Sequence, residues 1–298
     1  MLSISGPTAV GKTESSLQIA EHFKTEIISC DSRQMYKEMK IGTAVPDDAE
    51  LARVKHHFIG KLSIHDYYNA SMFEQDIVQL SGKLFDTRNL LLMVGGSGMY
   101  LDAVLYGIDD IPDPDMRIRE ALIRQHETEG LPPLLEQLEN LDPLSYQRID
   151  RNNPKRVIRA VEVCLSSGKP FSSFHTKQIK SRDFDVLMLG LEIPRETLYA
   201  RIDKRIDIML EQGLEAEVRK LHPHQGLIAL KSIGYREFFQ YFDGKVSREE
   251  AIHLIRKNTR QYARKQINWL KRYKAMHWFQ PDDIEGMINL TEKYQNRK

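Results

Sequence analysis

The stretch Gly6-Pro-Thr-Ala-Val-Gly-Lys-Thr13 fulfils the spacing G-x-x-x-x-G-K-[ST] in full, and that spacing makes a phosphate cradle. Gly6 and Gly11 allow a tight loop whose backbone N–H groups converge on anionic oxygens, and a helix beginning near Lys12 adds the positive end of its dipole. Lys12 supplies a point charge and Thr13 a hydroxyl for Mg²⁺. Pro7, Thr8, Ala9 and Val10 complete the loop, so all of residues 6–13 are assigned to phosphate binding. The motif leaves open whether the phosphates belong to a nucleoside triphosphate or to another pyrophosphate. A Gly-rich strand-to-helix turn that binds nothing is the bland alternative.

Two further clusters carry polar chemistry. Cys30-Asp-Ser-Arg-Gln34 follows the apolar run 26–29, and a carboxylate at Asp31 can serve as general base, as Mg²⁺ ligand or simply as a helix N-cap. Gly95-Gly-Ser-Gly98 follows the run 89–94 and combines close backbone approach with one hydroxyl, that of Ser97. In many P-loop NTPases the strand in that role ends in an Asp that helps to hold Mg²⁺. No Asp ends this one, which counts against ATP or GTP hydrolysis without excluding a kinase.

These residues need a scaffold that presents strand ends side by side. Short apolar runs at 2–5, 26–29, 89–94 and 185–191, separated by helical stretches, predict an α/β fold: a P-loop NTPase-like parallel sheet with crossover helices and the phosphate loop at its C-terminal edge. From about Pro112 to Arg182 helical patterns dominate and no strand is evident, with prolines and glycines as punctuation. The expected organisation is a discontinuous catalytic core, residues 1–112 and 183–298, with a helical insertion at 113–182. The clearest inserted helix takes Asn153 as N-cap and Pro154 in its first turn, and it ends near Gly168. Lys155, Arg156 and Arg159 lie on its polar face. The polar tail after Leu290 is expected to fray.

Composition bounds the rest. In 298 residues there are two cysteines, Cys30 and Cys164, which make neither a disulfide framework nor a Cys-x-x-Cys metal site and read as core thiols. No apolar run is long enough to span a bilayer and no signal region leads the chain, so a cytoplasmic protein without membrane attachment or obligate protein partner, a monomer, is expected. The formal net charge is only +1; its distribution says more. Residues 251–281 contain no Asp or Glu, yet carry Arg256, Lys257, Arg260, Arg264, Lys265, Lys271, Arg272 and Lys274. Apolar residues recur there at helical intervals while Arg256, Arg260 and Arg264 follow one another at i, i+4 steps. Like-charge repulsion left unrelieved along a helix suggests a polyanionic partner. Tyr262, Trp269 and Tyr273 either stack on bases or bury against the body of the protein.

Taken together, residues 6–13, Asp31-Ser-Arg-Gln-Met-Tyr36, Ile41-Gly-Thr-Ala44, His56-His57, Gly95-Gly-Ser-Gly-Met-Tyr100, Asn153-Pro-Lys-Arg156, Arg159-Ala-Val-Glu162, Ile233-Gly-Tyr-Arg-Glu237 and Thr259-Arg-Gln-Tyr-Ala-Arg264 occur in the order seen in tRNA dimethylallyltransferases. The resemblance spans nearly the whole chain. It implies transfer of the dimethylallyl group of dimethylallyl diphosphate to the exocyclic amine of the adenosine immediately 3′ of the anticodon, with Mg²⁺ as cofactor. The P-loop would then hold an allylic diphosphate, which accounts for a cradle without the usual acid.

By the same resemblance Asp31 is the base, and Ser97, which stands where relatives more often have Thr, holds the acceptor amine or base. Lys231, often Arg in relatives, and Arg236 join the diphosphate site. Contact with tRNA is implied for Asp31, Ser32, Arg33, Gln34, Ser97, Arg117, Lys155, Arg156, Val157, Ile158 and Arg159, and the charge pattern adds Arg260 and Arg264. The cysteines for the C-terminal zinc finger of many eukaryotic members are missing, as in the bacterial type. An isopentenyltransferase acting on free adenine nucleotides, a small-molecule P-loop kinase and a non-catalytic RNA-binding module remain rival readings.

Overall fold

The computed structural model describes residues 1–176 and 178–296. It divides into two compact units: Met1–Leu105 together with the described part of Arg182–Lys298, and Tyr106–Ser181.

The first unit is built on six parallel strands, β1 (Leu2–Ser5), β2 (Ile27–Ser29), β3 (His56–His57), β4 (Leu92–Gly95), β5 (Leu187–Leu191) and β6 (His277–Phe279), in the order β3-β2-β4-β1-β5-β6. All four residues of β1 are buried, because both faces of a parallel sheet are covered. Leu2 and Ile4 enter the main apolar core, whereas the Ser3 and Ser5 hydroxyls satisfy each other at 3.2 Å. Since every strand runs the same way, the loops after β1, β2 and β4 all emerge at one edge.

The helices of this unit are α1 (Lys12–His22), α2 (Asp48–Arg53), α3 (Ala70–Phe85) and α4 (Gly98–Leu105), then, after the second unit, α9 (Arg195–Glu211), α10 (Leu214–Leu221), α11 (Tyr235–Phe242), α12 (Arg248–Leu270) and α13 (Ile284–Gln295). The second unit holds α5 (Met116–Glu129), α6 (Pro132–Leu141), α7 (Pro143–Arg148) and α8 (Pro154–Ser167), with no strand among its described residues.

Several expectations are corrected at this level. The strands β3 and β6 go unforeseen, being only two and three residues long and each opening on a histidine. Among the described residues the tail stays helical beyond Leu290 to Gln295 instead of fraying, because Asp283 caps α13 and Met287 and Thr291 bury one of its faces; residues 297 and 298 lie outside the described residues. Cys30 and Cys164 are buried free thiols.

In the second unit α8 starts on the Asn153 cap and ends at Gly168, which adopts φ 67°. Its inner face packs Val157, Ile158 and Val161 against Leu122, Leu134 and Leu138. Glu162, 0% exposed, receives Arg119 at 2.9 Å and Arg159 at 3.2 Å. Glu162→Gln would leave two guanidinium groups facing a neutral amide. Both are partly hydrated, so the loss is expected at the lower side of that for a broken buried pair, about 2 kcal/mol. Amide hydrogen exchange across residues 154–167 should then speed up by roughly 30-fold; unchanged exchange would show the pair to be energetically idle.

Candidate active site and its diphosphate cradle

Two loops at the carboxyl edge of the sheet and the end of β4 that leads into a third, with α9, α12 and the segment 231–236, enclose a cavity of about 1680 Å³. The first loop is the phosphate cradle. Gly11 sits at the N-cap of α1 with φ 118° and no side chain caps that helix, so its first-turn N–H groups remain available to an anion. Ala9 holds a left-handed φ of 65°, which turns the loop tightly enough to close over a phosphate. Lys12 Nζ donates to the Gly6 and Pro7 carbonyls at 3.0 and 2.8 Å. The Thr13 side-chain hydroxyl lines the cavity and makes no hydrogen bond among the described residues.

The cradle is more cationic than the sequence motif suggests. Arg205, from α9, donates to Thr8 Oγ1 at 3.3 Å, and Arg201, one turn earlier, donates to the Val10 carbonyl at 2.8 Å. Burial, reinforced by the Arg205 charge and opposed by Asp31, lowers the Lys12 pKa to about 8. Burial likewise lowers that of Arg205, with Asp31 and Glu50 acting in the opposite sense. Like charges crowded out of water are stabilised by an anion between them. Sequence reading missed Arg201 and Arg205. Their only signal is the i, i+4 spacing beside Ile202 and Ile206, the buried face of α9.

The second loop follows β2. Asp31 Oδ1 accepts the Arg33 and Gln34 N–H groups at 2.8 and 3.3 Å, which fixes the turn and leaves Oδ2 without a partner among the described residues. Arg33 donates to the Ala229 carbonyl at 3.1 Å. Gln34 receives the Ser29 hydroxyl and donates to the Ala44 carbonyl at 2.9 Å. The third loop brings Ser97 within reach: its Oγ accepts the Ser32 N–H at 3.1 Å. The Tyr262 hydroxyl lies beside Ser97, and burial of that hydroxyl with the Asp31 charge raises its pKa to about 12. Asp31 and Ser32 thus face one cavity with Lys12 and Thr13, and Ser97 stands behind Ser32. Exposed Lys231 and Arg236 line the same space, Arg236 donating to Glu237 at 3.3 Å.

Two of the sequence motifs that line the cavity also brace each other. Glu217 accepts the N–H groups of Lys40, Ile41 and Gly42 at 3.0, 2.8 and 3.0 Å and the Tyr235 hydroxyl at 2.7 Å. A Cβ on Gly42 would meet the Tyr235 ring at 2.6 Å, so the motifs 41–44 and 233–237 are halves of one lock. His57 pairs with Glu26 at 2.6 Å on the sheet edge, whereas His56 lines the cavity.

The expected nucleic-acid contacts divide. In the first unit, Asp31, Ser32, Arg33 and Gln34 line the cavity, and Ser97 adjoins it through the Ser32 N–H. In the second, Arg117, Lys155 and Arg156 are exposed, but Val157 and Ile158, 0% and 8% exposed, are core residues and cannot meet RNA. Arg159 is engaged by Glu162 and by the Pro112 carbonyl at 2.6 Å. Repulsion along α12 is relieved after all, from outside the helix: Arg260 pairs with Asp203, and Arg256 with Asp207 at 2.5 Å. Arg260 also packs over Tyr199, so its expected RNA contact gives way to a structural pairing. Arg264 and Lys265 are exposed and make no ion pair among the described residues.

The family model of IPP transferases matches residues 34–273. The chain belongs to this family. It is 50% identical to the tRNA dimethylallyltransferase 2 of Parabacteroides distasonis, over 95% of each chain, and 47% identical to the tRNA dimethylallyltransferase 1 of Bacteroides fragilis, over 98% of this chain and 97% of that one. Among solved structures it resembles the tRNA isopentenylpyrophosphate transferase of Bacillus halodurans, with a TM-score of 0.72 and 31% identity over 99% of this chain and 96% of the other. It also resembles a eukaryotic dimethylallyltransferase acting on tRNA, with a TM-score of 0.79 and 25% identity over 96% of this chain and 74% of that one. As in other IPP transferases, an all-parallel α/β sheet carries the site. No helix among the described residues is long and apolar enough to cross a membrane.

Proposed function

We propose that the protein transfers the dimethylallyl group of dimethylallyl diphosphate to the N6 amine of the adenosine immediately 3′ of the anticodon in tRNA, releasing diphosphate. One observation carries the reading: a single cavity joins an uncapped, cation-ringed phosphate loop to a carboxylate with a free oxygen. The C1–O bond of the donor breaks and a C1–N6 bond forms. Negative charge grows on the departing diphosphate, where Lys12, Arg205 and the first-turn amides of α1 neutralise it. The amine loses its proton to Asp31 Oδ2. Ser97 orients the base, with Tyr262 behind its hydroxyl. Lys231 and Arg236 add charge at the mouth of the cavity.

The unpartnered Thr13 hydroxyl, a hard oxygen beside the cradle, suits Mg²⁺, and there is no cluster of three acidic, His or Cys side chains among the described residues that could hold a metal alone. Thr13 and the diphosphate oxygens would hold the ion, which when bound screens the charge of the leaving group.

The target adenosine is stacked in the anticodon loop, so it must be turned out to reach Asp31. Arg117, Lys155 and Arg156 of the helical unit, with Arg264 and Lys265 of α12, are assigned to backbone phosphates. The protein is placed in the cytoplasm as a monomer, where its RNA and its donor are both dissolved. Mass analysis of an anticodon stem-loop incubated with the protein and dimethylallyl diphosphate should find one added C5H8 unit on that adenosine. Modification of free adenosine monophosphate in preference to the stem-loop would overturn the choice of acceptor, and use of ATP as a phosphoryl donor would overturn the reaction class.

Because Arg159 serves Glu162, the informative charge reversal is Lys155→Glu with Arg156→Glu. For every phosphate that the protein ceases to neutralise, the slope of log K against log salt falls by about 0.7–0.9, so a change of about 1.5 is expected in stem-loop binding. Pyrophosphate affinity should stay at the wild-type value. An unaltered slope would remove these two residues from the RNA interface.

A further inference from the structure

Gln266 is a buried amide, 6% exposed, on the inward face of α12, and both of its ends are used. Its Oε1 accepts the Thr8 N–H at 2.9 Å and its Nε2 donates to the Gly96 carbonyl at 2.9 Å. Thr8 belongs to the phosphate loop and Gly96 to the turn that carries Ser97. These loops leave neighbouring strands, since Ser5 of β1 lies in register with Gly95 of β4. The fit has no slack: a Cβ on Gly96 would stand 2.3 Å from Gln266 Nε2 and 2.9 Å from the Gly6 carbonyl. The same stripe of α12 continues the grip, with the Tyr262 hydroxyl beside Ser97 and Trp269 occupying the space that a Cβ on Gly98 would need, at 2.3 Å.

We propose that Gln266 is a positioning residue that ties the phosphate loop to the Gly96-Ser97 turn and so sets the separation between the donor's reacting carbon and the acceptor amine. The inference rests on the transfer reaction proposed above. Both ends of the Gln266 amide are committed to the protein, with one amide hydrogen and one lone pair left over, and it carries no charge. It is not needed to bind phosphate. It spends the Thr8 N–H, leaving the cradle to the amides nearer α1. A misplacement of about 1 Å between reacting groups costs about 10²-fold in rate, whereas affinity for a diphosphate held by Lys12, Arg205 and the helix N-terminus does not depend on where Ser97 stands.

The test compares Gln266→Met and Gln266→Glu with the wild-type chain, reading single-turnover transfer to an anticodon stem-loop and, separately, calorimetric binding of inorganic pyrophosphate. Gln266→Met should transfer about 10²-fold more slowly and bind pyrophosphate within about threefold of wild type, on the argument that the cradle survives. A protonated glutamic acid reproduces both hydrogen bonds of the glutamine and the ionised one loses the bond to Gly96. The rate of Gln266→Glu, divided by that of wild type at each pH, should therefore climb as pH falls from 8 to 5.5. That recovery is a signature a space-filling role does not give, and it decides the matter if Gln266→Met fails to fold. Wild-type transfer by folded Gln266→Met, or a relative rate of Gln266→Glu that is flat with pH, overturns the inference. A wild-type chain that binds pyrophosphate but never alkylates the stem-loop overturns the proposed function itself, and this inference with it.

Discussion

Asp31→Asn is expected to slow dimethylallyl transfer by roughly 10²–10⁴-fold while stem-loop affinity changes far less. The substitution is informative because Asp31 has two separable jobs. Its Oδ1 holds the turn through the Arg33 and Gln34 N–H groups, and an asparagine oxygen can keep both bonds. Its other oxygen faces the cavity unpartnered, and there the amide presents two hydrogens in place of a proton acceptor. The adenine amine, its lone pair delocalised into the ring, then meets a donor where it needs a base. Single-turnover transfer measured with saturating stem-loop separates the two jobs; near-normal chemistry would reduce Asp31 to a turn former.

Lys12→Met should cost 10²-fold or more in transfer, the usual loss when a preorganised charge is removed from a developing anion, with stem-loop binding retained. Lys12 also predicts a pH signature. Its pKa of about 8 in the donor-free protein, set first by burial and then by Arg205, means that much of it is neutral at pH 8.5. A diphosphate restores the charge, so binding takes up a proton above about pH 8, and donor affinity falls as pH rises past that value. The unfolded chain keeps this proton up to the ordinary lysine value of 10.5. It therefore binds more protons than the donor-free fold between about 8 and 10.5, and this residue's contribution to stability becomes more favourable as pH rises across that range. Calorimetry of pyrophosphate binding in buffers of different ionisation enthalpy measures the uptake directly. Wild-type uptake persisting in Lys12→Met would assign the proton elsewhere.

Much of the site can be read in advance because it is local in sequence. The phosphate loop is eight consecutive residues whose glycines dictate backbone geometry, and Asp31 and Ser97 each lie within three residues of the end of an apolar run that reads as a strand. The α8 helix announces itself through Asn153, Pro154 and Gly168. Sequence alone cannot supply the partners that arrive from other elements. Arg205, Gln266 and Glu217 sit on ordinary amphipathic helices, and each acquires its meaning only when a loop far away in the chain lies against it. The pairing of two α12 arginines escapes a sequence reading for the same reason: the acids that answer Arg256 and Arg260 are Asp207 and Asp203 on α9, 49 and 57 residues upstream and invisible to a reading along α12 itself. Val157 and Ile158 fall inside a stretch matched as RNA-binding, yet helical periodicity turns them inward.

The strand order has a consequence for how the chain is made. β1 is flanked by β4 on one side and β5 on the other, and Leu2 lies in register with Leu92 and with Leu187. Synthesis runs from the N-terminus, so one edge of β1 can be paired as soon as β4 has left the ribosome. The other has to wait until residues 106–181 have been added. Throughout that interval the nascent chain carries an apolar strand with one row of backbone N–H and C=O groups open, the kind of edge that invites foreign pairing. The intervening residues form a unit with its own core around Leu134, Leu138 and Val161, so they can be compacted while the sheet is still incomplete.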